Sequence, residues 1–344
     1  MNQGRAPVRF QNVSRSFGSV VALDDFCLNI DAGEFITLLG PSGSGKTTAL
    51  NILAGFDRAT SGEVYIGERA VGALPPEKRN VGMVFQSFAL FPHMSVFENV
   101  AFPLRMRGVA GPQIKQRVER TLEMVQLAGY GTRRPAALSG GQRQRVALAR
   151  AVVAEPPVLL MDESLSALDL KLREELQEEI RRLHREFGTT VVFVTHDQGE
   201  ALTLSDRIAL MDAGRIRQLD TPGALYDRPA SRFVADFIGR TNIVPMDDGS
   251  HVSAVGLDHA PDHAVALSLR PEKLTRSPDR SDIRFEATVQ DVAFRGATTE
   301  LRLCLASGLP LRMSEPRSGA LSLPARGETI TVGFMRDDAT ALHE

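Results

Sequence analysis

The chain contains no tryptophan and very little cysteine or tyrosine. Among its 344 residues are two cysteines, Cys27 and Cys304, and three tyrosines. Two thiols so far apart in the sequence provide neither a disulfide framework nor a metal-spaced pair, which favours a reducing compartment. The first residues lead into no apolar segment, so we expect no secretory signal.

Long apolar runs and an excess of one charge are also missing. No stretch of about 20 apolar residues occurs, so we expect no membrane span. Lys and Arg total 40 against 42 Asp and Glu, which leaves a net charge of −2. Proteins held to nucleic acid mainly by charge usually carry a basic excess, so the composition argues against that class.

The chain divides into two parts with different patterns. Residues 1–238 alternate short apolar strands with helical segments, whereas residues 239–344 hold mainly short strand candidates separated by turn residues. We predict an α/β domain followed by a small all-β domain. Residues 158–161 and 190–195 are continuous apolar runs, typical of parallel strands that are buried on both faces.

Two amphipathic helices are predicted in the first part. Residues 112–127 begin at Pro112, repeat apolar side chains on one face and stop at Gly129. Residues 170–187 carry an apolar stripe, and we expect the Glu and Arg residues between its members to face water. The stripe consists of Leu172, Leu176, Ile180, Leu183 and Phe187.

A glycine-rich segment follows the short apolar strand at residues 34–39. Residues 40–47 match G-x-x-x-x-G-K-[ST], and a helical pattern follows. Glycines let backbone amides turn toward phosphate oxygens, and a helix N-terminus favours anions. Lys46 supplies a positive charge to the outer phosphates of a nucleotide, and Thr47 supplies a hydroxyl to Mg²⁺. The predicted nucleotide-binding residues here are Gly40, Pro41, Ser42, Gly43, Ser44, Gly45, Lys46, Thr47 and Thr48.

Two acidic residues end another predicted strand. Asp162 and Glu163 follow the apolar run at residues 158–161, where a parallel sheet presents side chains to a ligand crevice. We expect Asp162 to hold Mg²⁺ and Glu163 to polarise the attacking water, the two roles that phosphoryl transfer needs. The interval between Lys46 and Asp162 is longer than a compact βαβ unit requires, which predicts an inserted, mostly helical subdomain at about residues 88–155.

A second helix N-terminus suited to an anion lies within this insertion. Residues 138–142 read Leu-Ser-Gly-Gly-Gln and precede a helical pattern that runs through Ala151. Ser139 is a typical N-cap, and the two glycines leave backbone amides accessible. Two such ends in one chain favour a head-to-tail pair of chains that share each nucleotide. A capped helix packed in the core is the alternative.

These segments together resemble the ATP-binding subunits of ABC-type importers. Residues 138–142 are similar to that family's signature motif, residues 85–86 to its Q-loop, residues 166–169 to its D-loop and residues 194–197 to its H-loop. The resemblance covers residues 8 to about 238, with the motifs in the family's order. It implies that Gln86 contacts Mg²⁺ or the attacking water and that His196 contacts the γ-phosphate. It also assigns nucleotide contacts to Phe17, Ser139, Gly140, Gly141, Gln142 and, across a dimer interface, Asp169.

The resemblance implies partners as well. It places the chain as a homodimer on the cytoplasmic face of the inner membrane, bound to integral membrane permease subunits and, through them, to an external solute-binding protein. No nucleic acid partner is expected. An apolar cluster, residues 88–94, follows Gln86; we expect part of it to pack in the core and the rest to form a groove for a permease helix.

The tail resembles the OB-like regulatory module of importers for sugars, polyamines, iron and sulfate. Residues 237–242 and 269–274 are most similar to the spermidine/putrescine branch, which predicts polyamine uptake. An importer for iron(III), sugar or another solute is the alternative within the family. Alternatives of other classes are a soluble ABC-type protein acting on nucleic acid or ribosomes and a nucleotide-binding regulator without turnover. Ser164 and Gly199 depart from the residues that are commonest in the family, and neither carries the chemistry.

Overall fold

The structure is a computed structural model that describes residues 5–162, 170–246, 250–257, 264–276, 281–317 and 322–343. The chain forms two compact units, Met1–Pro222 and Gly223–Glu344. The sequence pattern changes after residue 238, which is where the predicted domain boundary lies. In the structure, helix Arg232–Phe237 already packs within the second unit, where Ala235 contacts Ala266 and Leu342.

The first unit alternates strands and helices. In chain order its strands are β1 (Val8–Phe17), β2 (Val20–Ile30), β3 (Phe35–Leu39), β4 (Ser61–Ile66), β5 (Arg69–Ala70), β6 (Val81–Val84), β7 (Val158–Asp162), β8 (Thr190–Thr195), β9 (Arg207–Asp212) and β10 (Arg215–Asp220). Its helices are α1 (Lys46–Ala54), α2 (Val96–Met106), α3 (Gly111–Met124), α4 (Gly140–Val152), α5 (Leu170–Phe187) and α6 (Gln198–Leu204).

A mainly parallel sheet forms the centre of this unit. Within the described part of the chain its strands lie in the order β10-β9-β3-β8-β7-β6, and only the β9–β10 pair is antiparallel. Residues 158–161 of β7 and all six residues of β8 are buried, which confirms the prediction of parallel strands buried on both faces. A separate antiparallel sheet has the order β2-β1-β4-β5.

Three helices, α2, α3 and α4, lie within residues 88–155 and share one apolar core. The predicted stop of α3 at Gly129 is wrong, because the helix ends at Met124 and Gln126 takes a left-handed backbone with φ of 59°. The Gln126 side chain accepts a hydrogen bond from Arg145 and donates one to Glu179, and these bonds hold a non-glycine residue in that conformation.

Helix α5 has the predicted apolar stripe. Leu176, Ile180 and Leu183 are buried, while the side chain of Leu172 lies outside the described residues. The expectation that every Glu between them faces water is wrong at Glu179, which is only 5% exposed. Glu179 accepts hydrogen bonds from Arg182 and Gln126, so its carboxylate is buried with partners.

The second unit is mostly β-structure, as predicted. Its strands are β11 (Asn242–Pro245), β12 (Ala266–Leu269), β13 (Ile283–Phe294), β14 (Thr298–Leu305), β15 (Pro310–Pro316), β16 (Thr329–Phe334) and β17 (Ala339–Leu342). The helices from the unit boundary onward are α7 (Pro222–Asp227), α8 (Arg232–Phe237) and α9 (Ser250–Ala254). Two antiparallel sheets, β11-β12-β17 and β15-β14-β13-β16, enclose an apolar core.

The structure provides one observation on membrane spans and one on thiols. Across the described ranges, no helix is both long and apolar enough to cross a bilayer. Cys27 and Cys304 are both free thiols.

Candidate nucleotide-binding site

The site is built at the carboxyl edge of the parallel sheet. Register pairs Leu39 with Thr195, Asp162 with Val194, and Met161 with Val84. The chain therefore leaves β3, β8, β7 and β6 at one edge, where ligands bind in open parallel sheets. The residues predicted from sequence follow those strand ends in turn: the phosphate loop after β3, His196 after β8, Asp162 at the end of β7 and Gln86 after β6.

The phosphate loop, residues 40–47, is shaped around Lys46. Its ammonium donates to the carbonyl oxygens of Gly40 and Pro41, both at 2.8 Å, and lies 3.4 Å from the hydroxyl of Ser44. Lys46 is 5% exposed, so the charge is held inside the loop. Thr47, one residue into α1, is exposed and presents its hydroxyl outside the core.

Gly45 requires glycine for two reasons. Its φ of 100° is in the left-handed region, and an added Cβ would lie 2.4 Å from the carbonyl oxygen of Ala22. The loop is also tied to a neighbouring hairpin, because the amide of Gly214 donates to the carbonyl of Ser44 at 3.1 Å. The chain itself therefore fixes the path of the loop into α1.

The far end of α1 is held by a buried arginine that the sequence interpretation missed. Arg79 is 3% exposed and donates to the carbonyl oxygens of Ile52 and Leu53, the latter at 3.0 Å, and to that of Leu74 at 2.8 Å. Burial lowers its pKa. Cations near a helix C-terminus satisfy carbonyls that lack intrahelical partners, so Arg79 fixes α1 opposite the phosphate loop.

The structure describes only one residue of the acidic pair, Asp162. Asp162 is partly buried at the end of β7. Glu163 and Asp169 lie outside the described residues, as does Ser164, so the roles predicted for Glu163 and Asp169 stay predictions. Gln86 and His196 are exposed beside the strand ends from which they follow.

Phe17 lies at the end of β1 and is 48% exposed. The guanidinium of Arg15 lies over its ring, 4.2 Å from the centroid. One face of the ring is therefore occupied by a cation from the same strand, an arrangement with its own stabilisation of about 0.5–1 kcal/mol at an exposed site.

The N-terminus of α4 has the geometry predicted for it. Ser139 is the N-cap: its hydroxyl accepts from the amide of Gln142 at 3.3 Å, and the Gln142 side chain accepts from the amide of Ser139 at 3.0 Å. This reciprocal cap leaves the amides of Gly140 and Gly141 without acceptors inside the helix. A second helix end that can meet an anion is thus present on the same chain.

The segment after Gln86 is held by the same helix. Arg150 of α4, which is 9% exposed, donates to the carbonyl oxygens of Ala89 at 2.8 Å and Phe88 at 2.9 Å. Burial lowers its pKa. Phe88 and Ala89 both have positive φ, 60° and 44°, so Arg150 secures a backbone path that L-residues seldom adopt. The sequence analysis did not identify this contact, because Arg150 is one of three arginines in α4.

An apolar cavity of about 350 Å³ borders this segment. Phe85, Phe91 and Phe102 line it together with Arg107 and Arg150. Phe88 and Leu90 instead pack partly against the core. Part of the apolar cluster therefore packs against the core, as predicted, while the groove for a permease helix stays a prediction.

A buried network surrounds His196. Thr195 donates to Glu200 at 2.6 Å and accepts from the amide of Asp197 at 3.0 Å. Arg173 of α5 donates to Asp197 at 3.0 Å. Glu200 is fully buried; burial raises its pKa, and the hydrogen bond from Thr195 opposes that rise. Sequence reasoning did not identify Glu200 or Arg173, because their spacing resembles that of any amphipathic segment.

The residues present fit a nucleoside triphosphate with Mg²⁺. Thr47, Asp162 and Gln86 offer hydroxyl, carboxylate and amide oxygens, the hard donors that this cation takes. In the residues that the structure describes, no group of three or more His, Cys, Asp or Glu could hold a metal alone. A parallel sheet that carries such a loop at its carboxyl edge defines a P-loop nucleotide-binding protein.

Comparison with known proteins identifies the family. A sequence profile described as "ABC transporter" matches residues 23–166, and one described as "TOBE domain" matches residues 267–342. The chain is 47% identical over 345 residues to "Spermidine/putrescine import ATP-binding protein PotA 2" of Pseudomonas aeruginosa, covering 95% of this chain and 94% of that protein. The chain belongs to the ABC transporter family, and it is an ATP-binding ATPase of that family.

Further relatives extend this finding. The chain is 46% identical to "Spermidine/putrescine import ATP-binding protein PotA" of Rubrobacter xylanophilus over 95% of this chain and 91% of that one. It is 44% identical to "Uncharacterized ABC transporter ATP-binding protein YdcT" of Escherichia coli over 98% of each. The predicted resemblance is therefore confirmed.

Solved structures agree on the fold. The dimeric structure of MJ0796, a bacterial ABC transporter cassette, is 36% identical with a TM-score of 0.57 and covers 62% of this chain and 98% of its own. A dimeric post-hydrolysis state of MJ0796, bound to ADP and Pi, has a TM-score of 0.55. The predicted P-loop α/β domain and OB-like tail are confirmed, the latter as a TOBE domain.

Proposed function

We propose that this chain hydrolyses ATP to power the import of polyamines through a membrane permease. The relatives named for spermidine/putrescine import support the substrate class. The observation that carries the ATPase assignment is the order of strand ends, which sets the phosphate loop, His196 and Asp162 on three neighbouring parallel strands. An importer of another solute is the alternative within the family.

The roles of individual residues follow from their chemistry and, for Phe17, His196 and Gln86, from the family resemblance. Lys46 and the amides of residues 40–48 bind the phosphates, and Phe17 stacks on the base. Glu163 orients the attacking water, while His196 and Gln86 contact the reacting phosphate and that water. Mg²⁺ held by Thr47, Asp162 and Gln86 neutralises phosphate charge when it is bound.

Each site is completed by a second copy of the chain. The capped N-terminus of α4 supplies the amides of Gly140 and Gly141 and the side chains of Ser139 and Gln142 to the nucleotide held by the partner subunit, and Asp169 reaches across the same interface. The dimeric relatives support this arrangement. The reciprocal cap at Ser139 supports it too, because it orients the helix without consuming the two glycine amides.

The membrane partner docks beside the segment that follows Gln86. The cavity lined by Phe85, Phe91 and Phe102 accepts the apolar face of a permease helix. The chain is therefore peripheral, at the cytoplasmic face of the inner membrane, and meets the external solute-binding protein only through the permease. It binds no nucleic acid.

Turnover by the full complex tests the proposal. In proteoliposomes that contain the permease, the wild type should release phosphate with Mg²⁺-ATP and take up labelled spermidine. Glu163→Gln should retain ATP while turnover falls by about 10²- to 10³-fold, because the water loses its base. Glu174→Gln, an exposed change on α5, is the matched control.

Three results would contradict the proposal. Absence of phosphate release from the wild-type complex would remove the ATPase assignment. Release without spermidine uptake, but with uptake of iron(III) or a sugar, would replace the solute. Purification with ribosomes or nucleic acid rather than membrane subunits would replace the class of function.

A further inference from the structure

The residues on both sides of His196 are fixed by buried side chains. Thr195, which precedes it, is 0% exposed and ends β8. Asp197, which follows it, caps α6 by accepting from the amide of Glu200 at 3.1 Å. The exposed His196 therefore stands on a turn whose two ends are anchored in the protein.

The side chain of Glu200 stabilises this turn through a hydrogen bond. Its Oε2 accepts from the hydroxyl of Thr195 at 2.6 Å, and the same hydroxyl accepts from the amide of Asp197 at 3.0 Å. A single threonine oxygen thus joins the Glu200 carboxylate to the backbone immediately after His196. Buried hydrogen bonds of this kind rigidify their surroundings when they are satisfied.

The second oxygen of Glu200 points to α5. Glu200 Oε1 is buried with no hydrogen-bond partner, and Arg173 Nε lies 3.9 Å away. That separation is about 1 Å beyond a normal N–H···O bond. Arg173 already donates to Asp197 at 3.0 Å, so its guanidinium touches one end of the turn and approaches the carboxylate beneath it.

We propose that Glu200 and Arg173 are positioning residues that set His196 for ATP hydrolysis and make its placement depend on that of α5. The proposal rests on the function proposed above. Arg173 lies in the first turn of α5 and is four residues after Asp169 in the sequence, the residue assigned to the dimer interface. A shift of α5 by about 1 Å would bring Arg173 Nε into hydrogen-bond distance of Glu200 Oε1. A movement of α5 on dimer formation would therefore change the geometry of the histidine turn.

The experiment separates positioning from general stability. Thr195→Val is close in shape but removes both hydrogen bonds, whereas Thr195→Ser keeps the hydroxyl. In the full complex with permease, we expect kcat to fall about 10- to 100-fold in Thr195→Val, with the KM for ATP within about twofold, because a misplacement of about 1 Å has effects of this size. Thr195→Ser should retain wild-type kcat.

A double-mutant test identifies the group through which the effect acts. In a His196→Ala background, Thr195→Val should lower single-turnover hydrolysis by less than about twofold, because the residue it positions is gone. Glu200→Gln, which keeps an acceptor for Thr195 but loses the charge facing Arg173, should show the same dependence on His196. It serves as the second variant if Thr195→Val does not fold.

The outcomes distinguish this inference from the proposed function. An equal loss in the wild-type and His196→Ala backgrounds would overturn the positioning role, as would parallel loss of kcat and ATP affinity. Unchanged turnover in Thr195→Val would do the same while leaving the ATPase assignment intact. A wild-type complex without turnover, or one indifferent to His196→Ala, would instead contradict the proposed function.

Discussion

Arg150→Ala tests how the signature helix α4 and the docking segment after Gln86 depend on each other. The wild-type guanidinium binds the carbonyl oxygens of Phe88 and Ala89 from within the core. Removing it leaves both carbonyls without this donor and takes away one of the side chains that line the adjoining cavity. We expect the variant to keep ATP affinity and lose the response of turnover to the permease.

The magnitude follows from two opposing terms. Hydrogen bonds from a charged donor contribute about 1.5–3 kcal/mol each, so the pair supplies about 3–6 kcal/mol before the cost of burying the guanidinium. The left-handed conformations of Phe88 and Ala89 cost about 1–2 kcal/mol each. These terms are similar in size, so without Arg150 the segment no longer favours its present path, and we expect permease-stimulated turnover to fall at least about tenfold.

The assay compares two rates in the same preparation. Basal phosphate release is measured in detergent without permease, and stimulated release in proteoliposomes with it. The KM for ATP should stay within about twofold of the wild-type value. Arg150→Lys keeps the charge but replaces the planar guanidinium with one ammonium nitrogen on a shorter side chain, so it should show a smaller loss in the same direction. Arg120→Ala, on the exposed face of α3, controls for loss of an arginine in the same subdomain.

Full stimulation of Arg150→Ala at wild-type thermal stability would refute the reasoning. A loss of ATP affinity equal to the loss of stimulation would also refute it, because the effect would then lie at the phosphate loop. If the permease does not stimulate the wild type, the fault is in the proposed docking surface and not in the role of Arg150.

Two further predictions concern binding and stability. Gly45→Ala should raise the Kd for ATP, measured by calorimetry, at least about tenfold, because the new Cβ would lie 2.4 Å from the Ala22 carbonyl oxygen in a left-handed turn. Gly111→Ala is the control: its Cβ would meet nothing within 4 Å, so the Kd for ATP should stay unchanged. Burial lowers the pKa of His184 in the folded chain. The unfolded chain therefore binds a proton more readily than the folded chain. The free energy of unfolding should fall as pH decreases from about 6.5 toward the pKa of the folded state. Urea titrations should show this slope reduced in His184→Gln, and an unchanged slope would count against the lowered pKa of His184.

The chemistry-bearing segments were predictable because each depends on local sequence. The phosphate loop needs glycines in fixed places, and a buried parallel strand needs a continuous apolar run such as residues 190–195. Ser139 was predicted as an N-cap from its own type and from the glycines after it, and the structure bears this out. Patterns of this kind specify their conformation within about ten residues of chain.

The supporting contacts were not predictable, because they join residues distant in sequence. Arg79 reaches back to Ile52, and Arg150 reaches Ala89. The end of α3 depends on Gln126, whose left-handed backbone is held by side chains of α4 and α5 rather than by its own propensity. A pattern along one helix carries no information on which distant carbonyl or carboxylate its polar residues will meet.

The contacts that hold both ends of helix α1 have a mechanical consequence. The helix is restrained at its start by a loop whose backbone meets Ala22 and Gly214, and at its finish by the guanidinium of Arg79. A helix restrained at both ends resists bending, so we expect any movement on nucleotide binding to arise in neighbouring segments rather than within α1.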